Sequence, residues 1–430
     1  MQGGYDVIDI TKAAAGAERE LAEALRRRKG AVNEKINQTV AAIMADVREN
    51  GYEAVKKYSL ELDGAEPREL SRAELEAARD RCDAKLVAAM ERSAANIRAY
   101  QEKLLPRTKV WETEAGTLGQ LVRGLTRVGV YVPGGAAAYP SSLLMTAVPA
   151  RVAGVEEIVA VTPPTKNLSD AVMAAALIAG VDRVIAVGGA QAVAALTYGA
   201  GFIPRVDKLV GPGNAFVAAA KRMAFGELDI DMVAGPSEVL VIADGAANPV
   251  WAAADLLSQA EHDPLAAAVL VTDSEPFARA VAAELEKQTA RLERREIIER
   301  SLTDYGALIV CEDLDRAAAM ANEIAPEHLE ILTAEPEKLL PKIKNAGAIF
   351  LGPNSPEPLG DYMAGPSHVL PTSGTARFFS PLSVDSFLKR TSLISYKKEA
   401  LAAVSDDIIR FAESEGLTAH ANSIKVRFAE

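Results

Sequence analysis

Several features are scarce in this sequence, and each shortage excludes a class of protein. Its two cysteines among 430 residues cannot build a disulfide framework, and we expect both thiols to be inert. No run of about 18 apolar residues occurs, which argues against a membrane span. Acidic residues outnumber basic ones, 59 to 47, and a net charge of −12 disfavours nucleic-acid binding, which needs a basic surface. No basic segment followed by an apolar one opens the chain, so we expect no signal peptide and a cytoplasmic location.

Histidine is also scarce, and the four histidines lie in polar surroundings. Each has a carboxylate, hydroxyl or amide side chain within two positions: His262, His328, His368 and His420. Histidine transfers protons near neutral pH and binds divalent metals. The pattern suggests a single active site assembled from distant parts of the chain.

The spacing of apolar residues divides the chain into regions. The first hundred residues have helical spacing, with one predicted helix over 31–58 and a capping-box pattern at Ser71 and Glu74. From about residue 119, short β-branched runs alternate with alanine-rich helical stretches, which is typical of parallel sheets covered on both faces. Helical spacing returns after about residue 380, and residues 423–428 alternate like a short strand. The predicted strands are 128–132, 158–161, 183–187, 206–210, 239–242, 267–271, 307–310 and 348–351.

These patterns predict an α/β fold with two Rossmann-like parallel-sheet units of related build. A helical N-terminal segment precedes them and a helical C-terminal tail follows. The expected division is an N-terminal arm (1–25), residues 26–130 packed with 237–381 as one α/β domain, a nucleotide-binding domain (131–236) and a tail (382–430) that reaches into an active site.

Two segments offer candidate metal ligands. Gln259 and His262 fall about one turn apart near the end of a helix predicted over 250–261, so both can reach one ion. Asp361 follows a predicted strand in a glycine- and proline-rich stretch, and α/β proteins bind ligands beyond the carboxyl ends of strands. Ordinary surface polarity and a turn-forming aspartate are the alternatives.

Two further segments offer candidate bases. Glu327 and His328 lie at a helix-to-strand junction and can supply two general bases, although an exposed polar pair would look the same. His420 and Glu415 lie close to the C-terminus. Because terminal segments are usually poorly ordered unless they are tied down, this polar tail is expected to reach into a site, in this subunit or its neighbour.

Three glycine turns each follow a predicted strand of the same α/β unit. They are Pro133–Gly135, Gly188–Gln191 and Gly211–Asn214. A glycine turn from strand to helix offers bare backbone amides to an anion or nucleotide, but simple connections would explain each one. The dinucleotide fingerprint G-x-G-x-x-G is missing, so a nucleotide site would be of an unconventional type.

Taken together, the motifs resemble those of the histidinol dehydrogenase family along nearly the whole chain. The matching segments are Val130–Gly135, Val210–Asn214, Asp231–Glu238, Leu257–His262, Ala325–Leu329, Leu359–Tyr362 and Leu417–His420. The resemblance implies oxidation of L-histidinol to L-histidine through L-histidinal, using two NAD and a water. It also implies a homodimer with intertwined C-terminal tails and one Zn²⁺ per active site.

The resemblance assigns roles by position. The implied zinc ligands are Gln259, His262, Asp361 and His420. The implied catalytic pair is Glu327 and His328. Further implied substrate contacts are Ser237, His368 and Glu415, and the implied NAD contacts are Tyr131, Gln191 and Asn214. From the chemistry of the pair, we expect His328 to act as general base and Glu327 to activate water.

Other functions remain open at this stage. One alternative is a paralogous NAD-dependent dehydrogenase of another small alcohol, and Glu415 disfavours an anionic substrate there. Another is a zinc-dependent hydrolase in which Glu327 activates water. A third is a non-enzymatic protein that binds metal or nucleotide.

Overall fold

The computed structural model describes residues 8, 10–13, 17–27, 34–134, 139–164 and 168–429. Part of the expected N-terminal arm (1–7, 9 and 14–16), residues 31–33 of the first predicted helix and Gly135 of one glycine turn lie outside the described residues. The helices are α1 Ala17–Arg27, α2 Glu34–Leu62, α3 Arg72–Arg81, α4 Ala84–Leu104, α5 Pro140–Val152, α6 Asp170–Ala179, α7 Gly189–Tyr198, α8 Ala215–Ala224, α9 Pro249–Ala260, α10 Glu275–Thr289, α11 Arg295–Tyr305, α12 Leu314–Ile324, α13 Pro336–Leu339, α14 Glu357–Tyr362, α15 Lys398–Ser414 and α16 Thr418–Lys425. The strands are β1 Ile10–Lys12, β2 Arg68–Leu70, β3 Lys109–Thr113, β4 Gly116–Gly124, β5 Arg127–Tyr131, β6 Glu157–Thr162, β7 Arg183–Ala186, β8 Lys208–Val210, β9 Asp229–Ile230, β10 Glu238–Ala243, β11 Ala267–Thr272, β12 Ala307–Val310, β13 His328–Leu332, β14 Ala348–Leu351 and β15 Leu388–Tyr396.

Six parallel strands form the first sheet, in the order β1–β12–β11–β10–β13–β14. The side chains of β10 alternate between its faces. Val239 and Val241 pack with α9, α10 and α11, whereas Leu240 and Ile242 pack with α1 and α12. Both faces are buried, which explains the continuous apolar runs that predicted these strands.

The second sheet also has six strands, in the order β2–β7–β6–β5–β8–β9, with β2 antiparallel at one edge. Val128 and Val130 of β5 point to the side covered by α3–α6, and Tyr131 points to the side covered by α2, α7 and α8. The two parallel-sheet units of related build are therefore confirmed. The capping box at Ser71 and Glu74 is also present and begins α3.

The expected packing of residues 26–130 with 237–381 is wrong for most of that segment. Helix α2 packs on α7 and α8, α3 packs on α6, and α4 packs on α5, all in the second unit. The apolar face of α2, which includes Val40 and Val47, fits the alanine-rich surface of α7. Small side chains on α7 let the two helices approach closely, and this complementarity decides the partner. Strand β5 also belongs to the second sheet, whereas β1 of the expected arm completes the first.

A third sheet was not predicted from the sequence. It is antiparallel, in the order β15–β4–β3, and β15 lies within the expected helical tail. Its side chains are largely exposed within one chain, and Ile394 is 71% exposed. A sheet with no buried face lacks the clear hydrophobic alternation that reveals a strand.

The C-terminal tail ends in two helices rather than in a strand. Helix α16 covers the first half of the segment predicted as a strand over 423–428 and a turn covers the second half, so that prediction is wrong. Among the described residues no strand pairs with this segment, and α16 instead packs on α15, with Ala421 and Ala412 buried. Across the described ranges, none of the helices combines the length and the apolar character needed to span a membrane.

Candidate active site

The backbone of Glu238, at the start of β10, holds two buried side chains at the start of the neighbouring strand β13. The Glu238 amide donates to Oε2 of Glu327 at 2.9 Å, and Nδ1 of His328 lies 3.0 Å from the Glu238 carbonyl oxygen. The strand register produces this arrangement, because His328 pairs with Val239, the residue after Glu238. One peptide segment thus fixes both members of the predicted catalytic pair.

The hydrogen bond to Glu238 also sets the tautomer of His328. A carbonyl oxygen can only accept, so Nδ1 carries the proton and Nε2 carries the lone pair. Burial lowers the pKa of His328 to about 4, against the opposing effect of Asp361. The imidazole is therefore neutral near pH 7 and can take a proton at Nε2. Burial raises the pKa of Glu327 well above its usual range, although the hydrogen bond from Glu238 opposes this.

Two carboxylates from α14 face the catalytic pair. His328, Glu357 and Asp361 each place a potential ligand atom within 4.8 Å of the others, and Nε2 of His328 lies 3.8 Å from Oε1 of Glu357. Helix α14 comes this close because Gly360 has no side chain. A Cβ at Gly360 would lie 2.7 Å from the ring of Phe350 on β14. The sequence analysis missed Glu357, but its position four residues before Asp361 places both on one helical face.

Gln259 is the most unusual side chain of the site. It is 1% exposed near the end of α9, and within the described chain neither its Oε1 nor its Nε2 has a hydrogen-bond partner. An unsatisfied buried amide costs about 1–3 kcal/mol, so a side chain like this is expected to bind a ligand. His262 follows in the turn that ends α9, with its amide 3.2 Å from the Gln259 carbonyl. Besides burial, which is the main cause, His262 contributes to lowering the pKa of both His328 and His368. The three imidazole rings therefore lie in one site.

The remaining predicted substrate contacts divide into two groups. Ser237 immediately precedes β10, and Nδ1 of His368 lies 3.6 Å from Oδ1 of Asp361, so both lie near the catalytic pair. Glu415 and His420 are exposed on the C-terminal helices. In the described part of the chain, no hydrogen bond or ion pair joins either of them to the other predicted site residues.

The position of the site in the sheet differs from the expectation. We expected Asp361 beyond the carboxyl end of a strand, but Glu327, His328 and Ser237 lie at the amino ends of β13 and β10. Asp361 reaches them because α14 returns from the end of β14 toward the start of β13. The site is therefore assembled at the amino edge of the first sheet.

The predicted nucleotide contacts form a separate cluster at the carboxyl edge of the second sheet. The hydroxyl of Tyr131 accepts from the Gly189 amide at 3.0 Å, and burial raises the Tyr131 pKa to about 12. Nε2 of Gln191 donates to Asp63 at 3.1 Å, and Asn214 caps α8 through its side-chain oxygen. The structure thus brings the three residues to the same edge of one sheet.

Comparisons with known proteins identify the family of this chain. The family model described as histidinol dehydrogenase matches residues 26–428. The chain is 50% identical to the histidinol dehydrogenase of Clostridium acetobutylicum over 428 residues, which cover 98% of this chain and 99% of that protein. This chain belongs to the histidinol dehydrogenase family.

Further members of the histidinol dehydrogenase family support the same conclusion. The protein from Heliobacterium mobile is 54% identical over 399 residues, which cover 91% of this chain and 93% of that protein. The crystal structure of histidinol dehydrogenase from Elizabethkingia anophelis superposes with a TM-score of 0.90 at 33% identity, covering 99% of this chain and 98% of that one. The resemblance seen in the sequence motifs is confirmed.

Proposed function

We propose that this protein oxidises L-histidinol to L-histidine through L-histidinal, using two NAD, a water and one Zn²⁺ per site. The observation that carries the proposal is a neutral buried base, His328, beside the carboxylate of Asp361, together with the unpartnered buried amide of Gln259 on α9, the helix that contacts α14 through Ser258. Membership of the histidinol dehydrogenase family supplies the substrate.

The donor set fits a zinc ion. Gln259, His262, Asp361 and His420 would hold it, with His420 from the tail. Imidazole nitrogens with carboxylate and amide oxygens suit a borderline divalent cation. The partnerless amide of Gln259 would gain a partner, and the nearby Asp361 would supply the negative charge. Bound zinc would supply Lewis acidity and an anchor for the substrate, and bound NAD would accept hydride.

His328 would remove the hydroxyl proton of the substrate. Its Nε2 carries the lone pair, has no hydrogen-bond partner in the described chain and faces the carboxylates of α14. A base that is neutral at the working pH can accept this proton in both oxidation steps. The bond from Nδ1 to the Glu238 carbonyl keeps the ring oriented throughout.

Glu327 would activate the water that adds to the aldehyde. Its buried position excludes bulk solvent, and a carboxylate with a raised pKa is a stronger base toward water. Because the Glu238 amide holds its Oε2, the other oxygen would face the reacting carbon. The pair therefore divides the work, with His328 serving both oxidations and Glu327 only the hydration between them.

The nucleotide is proposed to bind the second unit through Tyr131, Gln191 and Asn214. The turn before Asn214 is held firmly in place. The Gly211 amide donates to Asp231 at 2.7 Å, and its carbonyl accepts from Nζ of Lys221 at 2.8 Å. A Cβ at Gly211 would lie 2.3 Å from the Tyr131 carbonyl, so only glycine allows this approach.

The enzyme is also proposed to be a homodimer in which the tail completes the partner's site. Helices α15 and α16 pack mainly on each other and bury only Ala412 and Ala421. Large apolar side chains remain exposed, including Phe411 at 73% and Ile394 at 71%. Exposed apolar surface of this kind marks an interface, and a second copy would cover it and receive Glu415 and His420.

The decisive experiment is NADH formation by the purified protein with L-histidinol, with and without a strong chelator. We expect two NADH per histidinol consumed and loss of turnover in the metal-free protein. NADH formation from other alcohols only would indicate a paralogous dehydrogenase. Ester or amide hydrolysis without NADH would indicate a hydrolase instead.

A further inference from the structure

Three carboxyl groups, two of them buried and one half-buried, lie on the elements that carry the proposed metal ligands and His328. We call this group the lower carboxyl layer, and its members are Asp255 on α9, Glu330 on β13 and Glu357 on α14. Each member lies on the same face of its element as a residue of the site above, because residues four apart share a helix face and residues two apart share a strand face. The pairs are Asp255 with Gln259, Glu330 with His328, and Glu357 with Asp361.

Glu330 joins β13 to α14. Its side chain is fully buried, and its Oε1 accepts from the backbone amide of Glu357 at 2.8 Å, at the first residue of α14. Burial raises the pKa of Glu330 and the neighbouring carboxyl group of Asp255 on α9 raises it further, but Oε2 of Glu330 has no hydrogen-bond partner within the described chain.

A second link joins α9 directly to α14. Oγ of Ser258 lies 3.2 Å from Oε2 of Glu357 and 2.8 Å from the Asp255 carbonyl. Helix α9 carries Gln259 in the next position, and α14 carries Asp361 one turn later. The distance between the two proposed ligands therefore depends on contacts made within the lower carboxyl layer.

Folding alone does not explain Glu330. It lies in an interior strand of the first sheet between the apolar Leu329 and Ile331, and among the described residues no lysine or arginine forms an ion pair with Glu330 or Asp255. Burying carboxyl groups without a cation costs stability that an apolar side chain would not. Such a residue is retained where its hydrogen bonds hold something specific.

We infer that Glu330 is a positioning residue that fixes α14 on β13 and so sets Asp361 for metal binding. Through the contact between Ser258 and Glu357 it also orients α9, and with it Gln259. This rests on the proposed zinc site. Groups that orient metal ligands typically contribute 10- to 100-fold to metal affinity. Glu330 touches neither substrate nor metal. Its substitution should therefore change metal affinity and KM more than it changes kcat of the fully loaded enzyme.

The test compares zinc affinity in four variants, by competition with a chromophoric chelator at fixed pH. E330M removes the acceptor for the Glu357 amide, whereas E330Q keeps one. We expect E330M to weaken zinc binding by about 10- to 100-fold and E330Q to restore most of that loss. S258A breaks only the second link, adds no buried charge and should weaken binding by about tenfold, so it serves if E330M does not fold.

Ile331→Ala is the matched control, because it alters the same strand on the opposite, fully apolar face. It should lower the melting temperature of the metal-free protein and leave zinc affinity unchanged. The inference is overturned if E330M and S258A bind zinc as tightly as wild type, or if I331A weakens binding as much as E330M. Failure of the wild-type protein to bind zinc would instead refute the proposed function.

Discussion

Nδ1 of His328 lies 3.0 Å from the carbonyl oxygen of Glu238, and this contact defines the chemistry of the site. It commits the ring proton to Nδ1 and leaves Nε2 as the base. The amide of the same residue holds Glu327, so neither catalytic side chain depends on a mobile partner for its orientation. Strand β10 thus works as a rigid template for both bases.

The division of labour between the two bases can be tested by separating the half-reactions. Glu327→Gln should slow oxidation of L-histidinal by about 10²- to 10⁴-fold and largely spare oxidation of L-histidinol, because only the second step needs activated water. His328→Asn should slow both steps. Single-turnover NADH formation from each substrate measures this, with the exposed E337Q on α13 as control. Equal loss of both steps in E327Q would rule out the division.

Gln259 should show opposite effects with and without metal. In metal-free protein, Gln259→Leu should raise the free energy of unfolding by about 1–3 kcal/mol, because it removes an unsatisfied buried amide. In the presence of zinc, the same change should weaken metal binding. Gln101→Leu is the matched control, since that buried amide accepts from Val384 at 2.8 Å and its loss should destabilise the protein. Urea denaturation of the two metal-free variants measures their free energies of unfolding. Destabilisation by Q259L in metal-free protein would contradict the ligand role.

Loss of the buried ion pair beside Gly211 should lower the stability of the protein far more than loss of the exposed ion pair nearby. The Asp231 side chain, which pairs with Lys221, is 2% exposed, whereas the Asp229 side chain, which pairs with Lys208, is 52% exposed. Asp231→Asn should cost about 3–5 kcal/mol of stability because it leaves Lys221 buried and uncompensated. Asp229→Asn should cost about 0–1 kcal/mol. D231N should also raise KM for NAD. Similar effects of the two variants would contradict the proposal that Asp231 and Lys221 hold the Gly211 turn in place for NAD.

A shared site predicts complementation between two inactive variants. In a mixed dimer of His262→Ala and His420→Ala subunits, one site receives both intact residues if the tail acts in the partner. Random mixing of subunits should then restore about a quarter of wild-type turnover, since half of the dimers are mixed and each has one good site. Activity after co-refolding is the measurement. No recovery would mean that each chain supplies its own His420.

The cysteines should play no part in catalysis. Burial raises the pKa of Cys311 to about 11, so only about one thiol in a thousand is ionised at pH 8. Iodoacetamide should label the half-buried Cys82 first, and labelling of Cys311 should accelerate as pH rises toward 11. Mass spectrometry of the modified protein, with parallel assays, should show full activity after Cys82 is labelled. Inactivation in step with labelling of either thiol would refute this.

Much of the site was accessible from sequence because its residues lie in ordered local motifs. Gln259, Asp361 and the pair Glu327–His328 were singled out by residue type and spacing, and the structure brings them together. Glu357 and Glu330 were missed because their neighbours in space come from other elements. Nothing local distinguishes a buried carboxyl group from an exposed one, and only packing reveals that these two face the site from below.

Local sequence determined most strands of the two parallel sheets, most helices, the capping box at Ser71 and the glycine turns, because hydrophobic period and backbone preference act over a few residues. Tertiary structure alone decided which unit receives α2–α4, and that β15 pairs with β4 in a sheet exposed on the single chain. It also decided that the site lies at the amino edge of the first sheet. These outcomes depend on complementary surfaces brought together from distant segments, and burial of one surface on another is a property of the pair.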